Sequence, residues 1–340
     1  MEKDGGEERQ RPRCAVKPSY ERRANWNDYR ARRIYMVTLK LIPKFPPLSL
    51  ISGNIRAQAG AVDAPFTALT DRGRVVDSTI EEVCASYPHI GIVSKVIMPD
   101  HIHLIIFVKE QSDTHLGRII GHIKSLCSSR LSHLKSEDSF RPNGNRASKT
   151  IFQPNYHDRI LANPGQLETM VRYVEDNPRR LALKRSLPDL FQRCNKIRIG
   201  EEVLDAFGNP FLLRKDFIRN VHVRRAWTPE QAQQYKETCL REVYQGAVLV
   251  SPFISPAEKD ILREAIEQGA SIIRLVREGM APRFKPSGKE FELCCAGRLL
   301  ILTPWEYQTD KIALSRQDAV RLNNLAELIA RGVNEVGIVQ

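Results

Sequence analysis

The amino-acid sequence predicts an α+β protein, in which a ferredoxin-like βαββαβ sandwich with an added tyrosine-bearing helix precedes a smaller α/β domain. The first observation is the order of apolar patterns along residues 31–190, which runs strand, helix, strand, strand, helix, strand, helix. The second is the alternation of short apolar strands with helices over residues 246–340, which favours a small parallel sheet. A chain of 340 residues, 42% of them hydrophobic, is long enough for two such domains.

The strands of the sandwich are indicated by β-branched and apolar runs. Residues 34–42 (IYMVTLKLI) predict the first strand, and the prolines of the following stretch 44–53 predict a loop. Residues 89–98 and 101–108 predict two further strands. The Pro-Asp pair at 99–100 between them predicts a tight hairpin.

Apolar residues at helical spacing predict the helices that separate these strands. The first helix begins at Asp77 or Ser78, either of which can cap it, and the second spans residues 116–134. A short strand-like piece at residues 151–161 leads to a third helix, which Pro178 stops or kinks.

Changes in composition divide the chain into four segments. Residues 1–30 are rich in Arg and Glu and show almost no apolar periodicity, so we expect a flexible arm. The expected segments are the basic arm (1–30), the sandwich domain (31–190), a connection of short strands and a helix (191–245) and the α/β domain (246–340).

The surplus of positive charge lies in the first part of the chain. The net charge is +12; residues 1–200 carry 33 basic and 21 acidic side chains, whereas residues 201–340 carry 19 of each. A phosphate-rich partner for the first part is one interpretation. A solvated basic surface without a partner is the other, and charge alone does not choose between them.

The cysteines and the hydropathy of the sequence indicate the cellular compartment of the protein. The seven cysteines include no CxxC pair, which fits neither a disulfide framework nor a zinc ribbon. No run approaches the roughly 18 apolar residues of a membrane span, and the N-terminus lacks the apolar core of a signal peptide. We therefore expect a cytoplasmic protein with reduced thiols and no membrane partner.

Two histidines one residue apart form the most informative pair in the sequence. His101 and His103 fall in a predicted strand, so their side chains point to the same face. Two imidazoles on one rigid strand can bind one divalent metal ion, although such a pair is also often solvated surface or core polarity. Downstream, Tyr173 and Asn177 share one face of the third helix.

Three motifs occur together in a characteristic order. They are VIMPDHIHLII, IFQPNYHDRIL and MVRYVEDNP, and residues 30–185 that contain them resemble the single-tyrosine HUH transposases, in particular the REP-associated tyrosine transposases. The resemblance implies a metal-dependent endonuclease and strand transferase that acts on single-stranded DNA through a 5′-phosphotyrosine intermediate. It implies DNA transposition as the role and hairpin-forming DNA as the partner, with monomer and homodimer both open.

The resemblance also implies roles for single residues. His101, His103 and Asn177 match the residues that hold a Mg²⁺ or Mn²⁺ ion, and Tyr173 matches the nucleophile. His157 matches a family-typical residue without an assigned role, for which we favour hydrogen bonding within the fold.

Four basic residues near the motifs are candidate DNA contacts. They are Lys124, Arg130, Arg172 and Arg179. A solvated helix face explains Lys124 and Arg130 equally well. Arg172 and Arg179 flank Tyr173 along the helix, where positive charge lowers the barrier to attack by a phenol.

The last part of the chain resembles the Rossmann-like domain of DNA-processing protein A in the segments GAVLVSPFISPAEKDILREAIEQGASIIRL and LSRQDAVRLNNLAELI. It lacks a compact GxGxxG fingerprint, so the resemblance indicates a sheet topology and leaves the role of this Rossmann-like domain unknown. Ser251, Glu258 and Lys259 would lie at the carboxyl end of a parallel sheet, where ligands usually bind. Capping of the following helix is the interpretation we favour.

Two other functions are compatible with the sequence. One is a catalytically idle or domesticated DNA-binding protein, although such a protein has no reason to retain His101, His103 and Tyr173 together. The other is a nucleotide-binding module, formed by the α/β domain, with a basic accessory domain.

Overall fold

The computed structural model describes residues 24, 26–132, 150–281, 284–308, 313–332 and 336–338. The chain forms two compact units, Met1–Leu183 and Lys184–Gln340. Strands and helices occur in both units, and the α+β class expected from the sequence is confirmed. Within the described ranges, no helix is long and apolar enough to cross a membrane.

The first unit is built around an antiparallel sheet. Its elements are β1 (Arg33–Lys40), β2 (Ser49–Ser52), β3 (Phe66–Leu69), α1 (Asp71–Ala85), β4 (Ile90–Ile97), β5 (His101–Val108), α2 (Leu116–Leu131), β6 (His157–Ile160) and α3 (Gln166–Ser186). In the described residues the main sheet has the order β4-β5-β1-β6, with every neighbouring pair antiparallel, and β2 and β3 form a small separate sheet. Apart from β2 and β3, the succession of elements is the one the sequence predicts.

The two faces of the main sheet carry different layers. The even-numbered residues of β5 are buried in a core shared with α1 and α2. Ile105 points to the opposite face, where it packs with Val174 of α3. His101 and His103 have the parity of Ile105, so the histidine pair lies on the face that α3 covers.

Helix α1 begins earlier than the sequence predicts. Thr70 is its N-cap residue, and the Thr70 hydroxyl accepts a hydrogen bond from the backbone N–H of Gly73 at 3.2 Å. Asp77 and Ser78, the expected caps, lie inside the helix. The first turn carries few apolar residues, so hydrophobic periodicity does not reveal it.

The proline-containing stretch 44–53, expected to be a loop, ends in strand β2. This strand begins after the prolines and pairs with β3, and the Ser49 hydroxyl donates a hydrogen bond to the carbonyl of Ile97 at 2.7 Å. The pairing partners come from later parts of the chain. A local pattern therefore could not indicate this strand.

The end of the expected arm packs against the first unit. Residues 1–23 lie outside the described residues, but Tyr29 is buried, stacks on Tyr35 and donates a hydrogen bond to Asp158 at 2.7 Å. The arm assigned to residues 1–30 is therefore too long at its C-terminal end. Tyr29 belongs to the folded unit because it contacts Asp158 of strand β6, which is distant in sequence.

The second unit contains a larger, mixed sheet. Its elements are β7 (Arg193–Ile199), β8 (Glu202–Gly208), β9 (Ile218–Asn220), α4 (Pro229–Tyr244), β10 (Val248–Ser251), α5 (Pro256–Glu267), β11 (Ser271–Leu275), α6 (Lys289–Cys295), β12 (Leu299–Thr303), α7 (Arg316–Ala330) and β13 (Val336–Ile338). The strand order in the described residues is β13-β7-β8-β12-β11-β10-β9, and β9 to β12 run parallel.

The segment 191–245, expected to be a connection, is part of this sheet. Strand β8 pairs antiparallel with β12, and β9 pairs parallel with β10. Gly208 permits the close approach of β8 and β12: its φ is +105°, and a Cβ there would lie 2.3 Å from the carbonyl oxygen of Leu299. The expected boundaries at 190 and 245 therefore differ from the structural division after Leu183.

Helices cover both faces of the parallel strands. Helices α4, α5 and α6 pack on one face against Leu249 and Ile272, and α7 packs on the other against Val250 and Ile273. Alternate residues of β10 and β11 are thus buried on opposite sides. Burial on both sides explains why these short strands are apolar at successive positions.

Candidate active site

The hairpin between β4 and β5 places the histidine pair at the start of a central strand. The backbone N–H of Met98 donates to the carbonyl of His101 at 2.8 Å, which closes the turn through Pro99 and Asp100. The hairpin predicted from the Pro-Asp pair is confirmed. Beyond it, β5 is buried between β4 and β1, so the two imidazoles project from a rigid support.

The two imidazoles converge on one point. The Nε2 atoms of His101 and His103 are 3.1 Å apart, and the rings meet edge to face with centroids at 4.7 Å. The two histidines therefore lie on the same face of β5, as the sequence predicts. Each ring directs its Nε2 atom toward the other ring.

The outer nitrogen of each ring has its own partner. Nδ1 of His101 lies 2.7 Å from Oδ1 of Asp100, and Nδ1 of His103 lies 2.9 Å from Oγ1 of Thr38. Partners of this kind orient histidines that bind metal ions, because they leave Nε2 available. No pattern in the sequence indicates Thr38, since only the register of β1 against β5 places it opposite His103.

His103 is held in its neutral form by burial. Its side chain is almost entirely enclosed, and this burial, together with the neighbouring His101, lowers the pKa of His103 to about 3. The ring is therefore neutral at physiological pH, which is the state that a metal ligand requires.

Tyr173 lies beside the histidine pair. The ring centroids of His103 and Tyr173 are 5.8 Å apart, and the guanidinium of Arg180 lies 5.6 Å from the Tyr173 centroid. The next residue on α3, Val174, is fully buried in the core beneath the sheet and fixes this part of the helix. The structure thus brings the predicted nucleophile next to the two predicted histidine ligands.

Asn177 follows one helical turn after Tyr173 and is buried. Its Nδ2 donates to the backbone carbonyl of Tyr173 at 2.7 Å, so its Oδ1 is the atom left for another partner. Helix α3 continues through Pro178 as far as Ser186, whereas the sequence predicts a stop or a kink. Buried side chains on both sides of Pro178 hold the helix in place.

The histidine pair fits a divalent metal ion. Two neighbouring ligands of an octahedral ion, at bond lengths of about 2.1 Å, are about 3 Å apart, close to the observed separation of the two Nε2 atoms. No group of three or more His, Cys, Asp or Glu side chains that could hold a metal ion exists among the described residues. Asn177 stays the further protein ligand that the sequence predicts.

Three of the four predicted DNA contacts have partners within the protein. Lys124 donates to the carbonyls of Gln153 and Asn155 at 2.7 and 2.9 Å, and burial lowers its pKa. Arg130 pairs with Glu82 at 2.7 Å. These contacts give Lys124 and Arg130 a structural role within the first unit, and contact of either residue with DNA stays a prediction.

The two predicted cations on α3 differ from each other. Arg179 is buried and pairs with Asp176 at 2.6 Å, so it stabilises the helix from within. Arg172 is exposed and remains suited to contact a phosphate.

His157 is exposed on β6 and lies opposite Thr38 in the strand register.

In the second unit, Ser255 and Glu258 form a capping box at the start of helix α5. Glu258 is buried and accepts hydrogen bonds from the backbone N–H groups of Ile254 and Ser255, and the Ser251 hydroxyl accepts one from Phe253. Capping, the favoured interpretation, is thus what the structure shows for Glu258. Lys259 lines a pocket of about 220 Å³ at the carboxyl ends of β10 and β11.

Two of the solved structures that are similar to this chain have low sequence identity to it. One is a REP-associated tyrosine transposase bound to a REP hairpin, at 17% identity over 46% of this chain and 73% of the other, with a TM-score of 0.31. The other is DNA processing protein A from Helicobacter pylori, described with its single-stranded DNA binding mode, at 20% identity over 41% of this chain and 66% of the other, with a TM-score of 0.31. No curated protein matches the chain.

The family comparison is more specific. Residues 69–177 match the family model described as "Transposase IS200 like". The matched range begins just before α1 and ends at Asn177, so it contains the histidine pair, Tyr173 and Asn177. The resemblance to transposases that the sequence indicated is confirmed, and residues 69–177 of the first unit are similar to the IS200-like transposases.

Proposed function

We propose that the first unit is a metal-dependent single-stranded DNA endonuclease and strand transferase with Tyr173 as its nucleophile. One observation carries this proposal. The Nε2 atoms of His101 and His103 converge at 3.1 Å, and the ring of Tyr173 packs directly against His103. This proximity of two imidazoles on β5 and a tyrosine on α3 supports a single site for metal ligands and nucleophile.

The proposed reaction exchanges one phosphoester bond for another. The Tyr173 oxygen forms a bond to phosphorus while the bond from phosphorus to the 3′ oxygen breaks. The tyrosine proton is lost to water, and the departing 3′ oxygen takes up a proton to become a hydroxyl. The product is a 5′-phosphotyrosine, and attack by a 3′-hydroxyl on this linkage rejoins DNA without ATP.

His101, His103 and Asn177 would hold the metal ion. When bound, Mg²⁺ or Mn²⁺ supplies Lewis-acid polarisation of a phosphate oxygen. The protein contributes the rigid orientation of the two imidazoles through Asp100 and Thr38.

Two cations lie near Tyr173 on α3. The guanidinium of Arg180 lies 5.6 Å from the centre of the Tyr173 ring, and the exposed Arg172 precedes Tyr173 in the helix. We assign Arg180 to holding the orientation of the Tyr173 ring and Arg172 to contact with a phosphate of the DNA.

The proposed substrate is single-stranded DNA that forms a hairpin. The positive surplus of the first 200 residues supports a polyanionic partner, and the family match supports DNA as that partner. We place the reaction in the cytoplasm, where the cysteines would remain reduced.

A covalent-adduct assay tests this function. The full chain is incubated with labelled single-stranded hairpin DNAs and Mg²⁺ or Mn²⁺, and products are separated on denaturing gels. We expect an SDS-stable adduct in the wild type that EDTA abolishes and that Tyr173→Phe does not form. Tyr156 packs against the core of the first unit, so Tyr156→Phe is the matched control and should retain the adduct.

Two outcomes would contradict the proposal. An adduct that persists in Tyr173→Phe would show that another residue is the nucleophile. DNA binding by the wild type without an adduct, over a broad set of hairpins, would favour a catalytically idle DNA-binding protein.

A further inference from the structure

The two ring nitrogens of His103 have different partners. Nδ1 lies 2.9 Å from Oγ1 of Thr38, and Nε2 lies 3.1 Å from Nε2 of His101. A neutral imidazole carries one proton on its nitrogens, so one of them donates and the other accepts. The identity of the donor follows from the surroundings of His101.

Asp100 determines where the proton of His101 lies. An ionised carboxylate only accepts hydrogen bonds, so Nδ1 of His101 donates to Asp100 across 2.7 Å. With both rings neutral, Nε2 of His101 then carries a lone pair. The contact between the two Nε2 atoms is a hydrogen bond only when His103 donates from Nε2, which leaves its Nδ1 to accept from the Thr38 hydroxyl.

A metal ion held by both Nε2 atoms requires the opposite arrangement at His103. Its Nε2 must present a lone pair, so its proton must be on Nδ1. Thr38 Oγ1 must then accept. A hydroxyl can serve in both arrangements by rotating, whereas a carboxylate can only accept and a backbone N–H can only donate.

We propose that Thr38 is a positioning residue whose hydroxyl supports both tautomers of His103, donating to Nδ1 without metal and accepting from Nδ1–H when metal is bound. During the change the ring releases its Nε2 proton to water and takes up a proton at Nδ1, so its charge is the same before and after. The inference rests on the proposed function, because it requires the histidine pair to hold a metal ion.

The position of Thr38 fits this role, and its hydroxyl can be removed by a conservative substitution. It lies in β1 directly opposite His103 in the strand register. Valine has the same branched shape and a high preference for strands, so Thr38→Val removes the hydroxyl while retaining the strand. Thr38→Ser keeps the hydroxyl and provides the matched rescue variant.

The test observes the tautomer directly in the full chain. Protein labelled with ¹⁵N-histidine is studied by NMR near pH 8 with EDTA or with Mg²⁺, and the His103 signals are assigned by their absence in His103→Gln. In the wild type we expect a proton on Nε2 in EDTA and on Nδ1 with Mg²⁺. Circular dichroism confirms that each variant is folded.

The second readout is the affinity for Mn²⁺, measured by electron paramagnetic resonance of the free ion. Loss of a hydrogen-bond partner of a metal-bound histidine typically lowers affinity by about 10–100-fold. We therefore expect at least about tenfold weaker binding in Thr38→Val and wild-type affinity in Thr38→Ser.

The outcomes separate this inference from the proposed function. Unchanged Mn²⁺ affinity in Thr38→Val, equal losses in the Val and Ser variants, or a His103 ring that keeps one tautomer in both conditions would overturn the inference alone. A wild-type chain that binds no Mn²⁺ would overturn the metal site of the proposed function, and the inference with it.

Discussion

His103 and Lys124 show how burial assigns roles to residues that look alike in sequence. His103 is one of two neighbouring histidines, yet it is the one enclosed between the sheet and α3. Lys124 is one of several cations on an amphipathic helix, yet its ammonium group binds two backbone carbonyls. The residue types are evident from the sequence, but burial in the fold determines that His103 is neutral and that Lys124 binds backbone carbonyls.

The buried imidazole of His103 should make the metal-free chain sensitive to acid. The pKa of His103 is about 3 in the folded chain, against about 6.5 for an exposed histidine. Between these values the unfolded chain binds more protons, so stability is fully present above about pH 6.5 and is lost as the pH falls toward 3.

The corresponding experiment compares His103→Gln with the wild type in EDTA. Urea unfolding between about pH 7 and pH 5 should show a smaller loss of unfolding free energy in the variant, by on the order of 1–2 kcal/mol. His122→Gln, at an exposed position on α2, is the control. Equal pH dependence in wild type and His103→Gln would refute the role of burial.

Among the helices and strands, those with strong local signals were predicted and those that depend on distant partners were not. The hairpin at Pro99 and Asp100 and the helix after it have local signals, and the structure contains both. Strand β2 and the first turn of α1 depend on contacts with other segments. Thr70, for example, also donates from its hydroxyl to the carbonyl of Leu48 at 2.9 Å.

The start of α1 can be tested with two substitutions. Thr70→Ala removes the N-cap hydroxyl and should lower the unfolding free energy of the first unit by about 1 kcal/mol. Ser78→Ala, at the start expected from the sequence, lies inside the helix and should leave it within about 0.5 kcal/mol of wild type. Denaturant titrations of the full chain measure both, and a larger loss in Ser78→Ala would contradict the observed cap.

Across the whole chain, positive charge is concentrated in the part that carries the candidate site. Residues 201–340 are electrically balanced, whereas the surplus of +12 lies before them. The surplus positive charge attracts polyanions at long range. Cations that already bind other groups of the protein are less available to a polyanion than exposed ones. Arg172 is exposed, and Lys124 is engaged with the backbone.

Salt-dependent DNA binding distinguishes these two cations. Arg172→Gln should weaken binding to single-stranded DNA and reduce the slope of log affinity against log salt by about 0.7, as expected for one lost phosphate contact. Lys124→Met should lower stability and leave this slope unchanged. Fluorescence anisotropy over a series of salt concentrations measures the slope, and a reduced slope in Lys124→Met would reverse the assignment.

The sequence by itself determined the fold class, the hairpin, the same-face placement of His101 and His103, and the helical spacing of Tyr173 and Asn177. These properties follow from residue type and local periodicity. Only the tertiary structure decided that Thr38 lies within hydrogen-bond distance of His103, that Lys124 donates to backbone carbonyls, and that β7, β8 and β9 join the second sheet. Such features depend on strand register and burial, which arise from contacts between distant segments and leave no periodic pattern in the sequence.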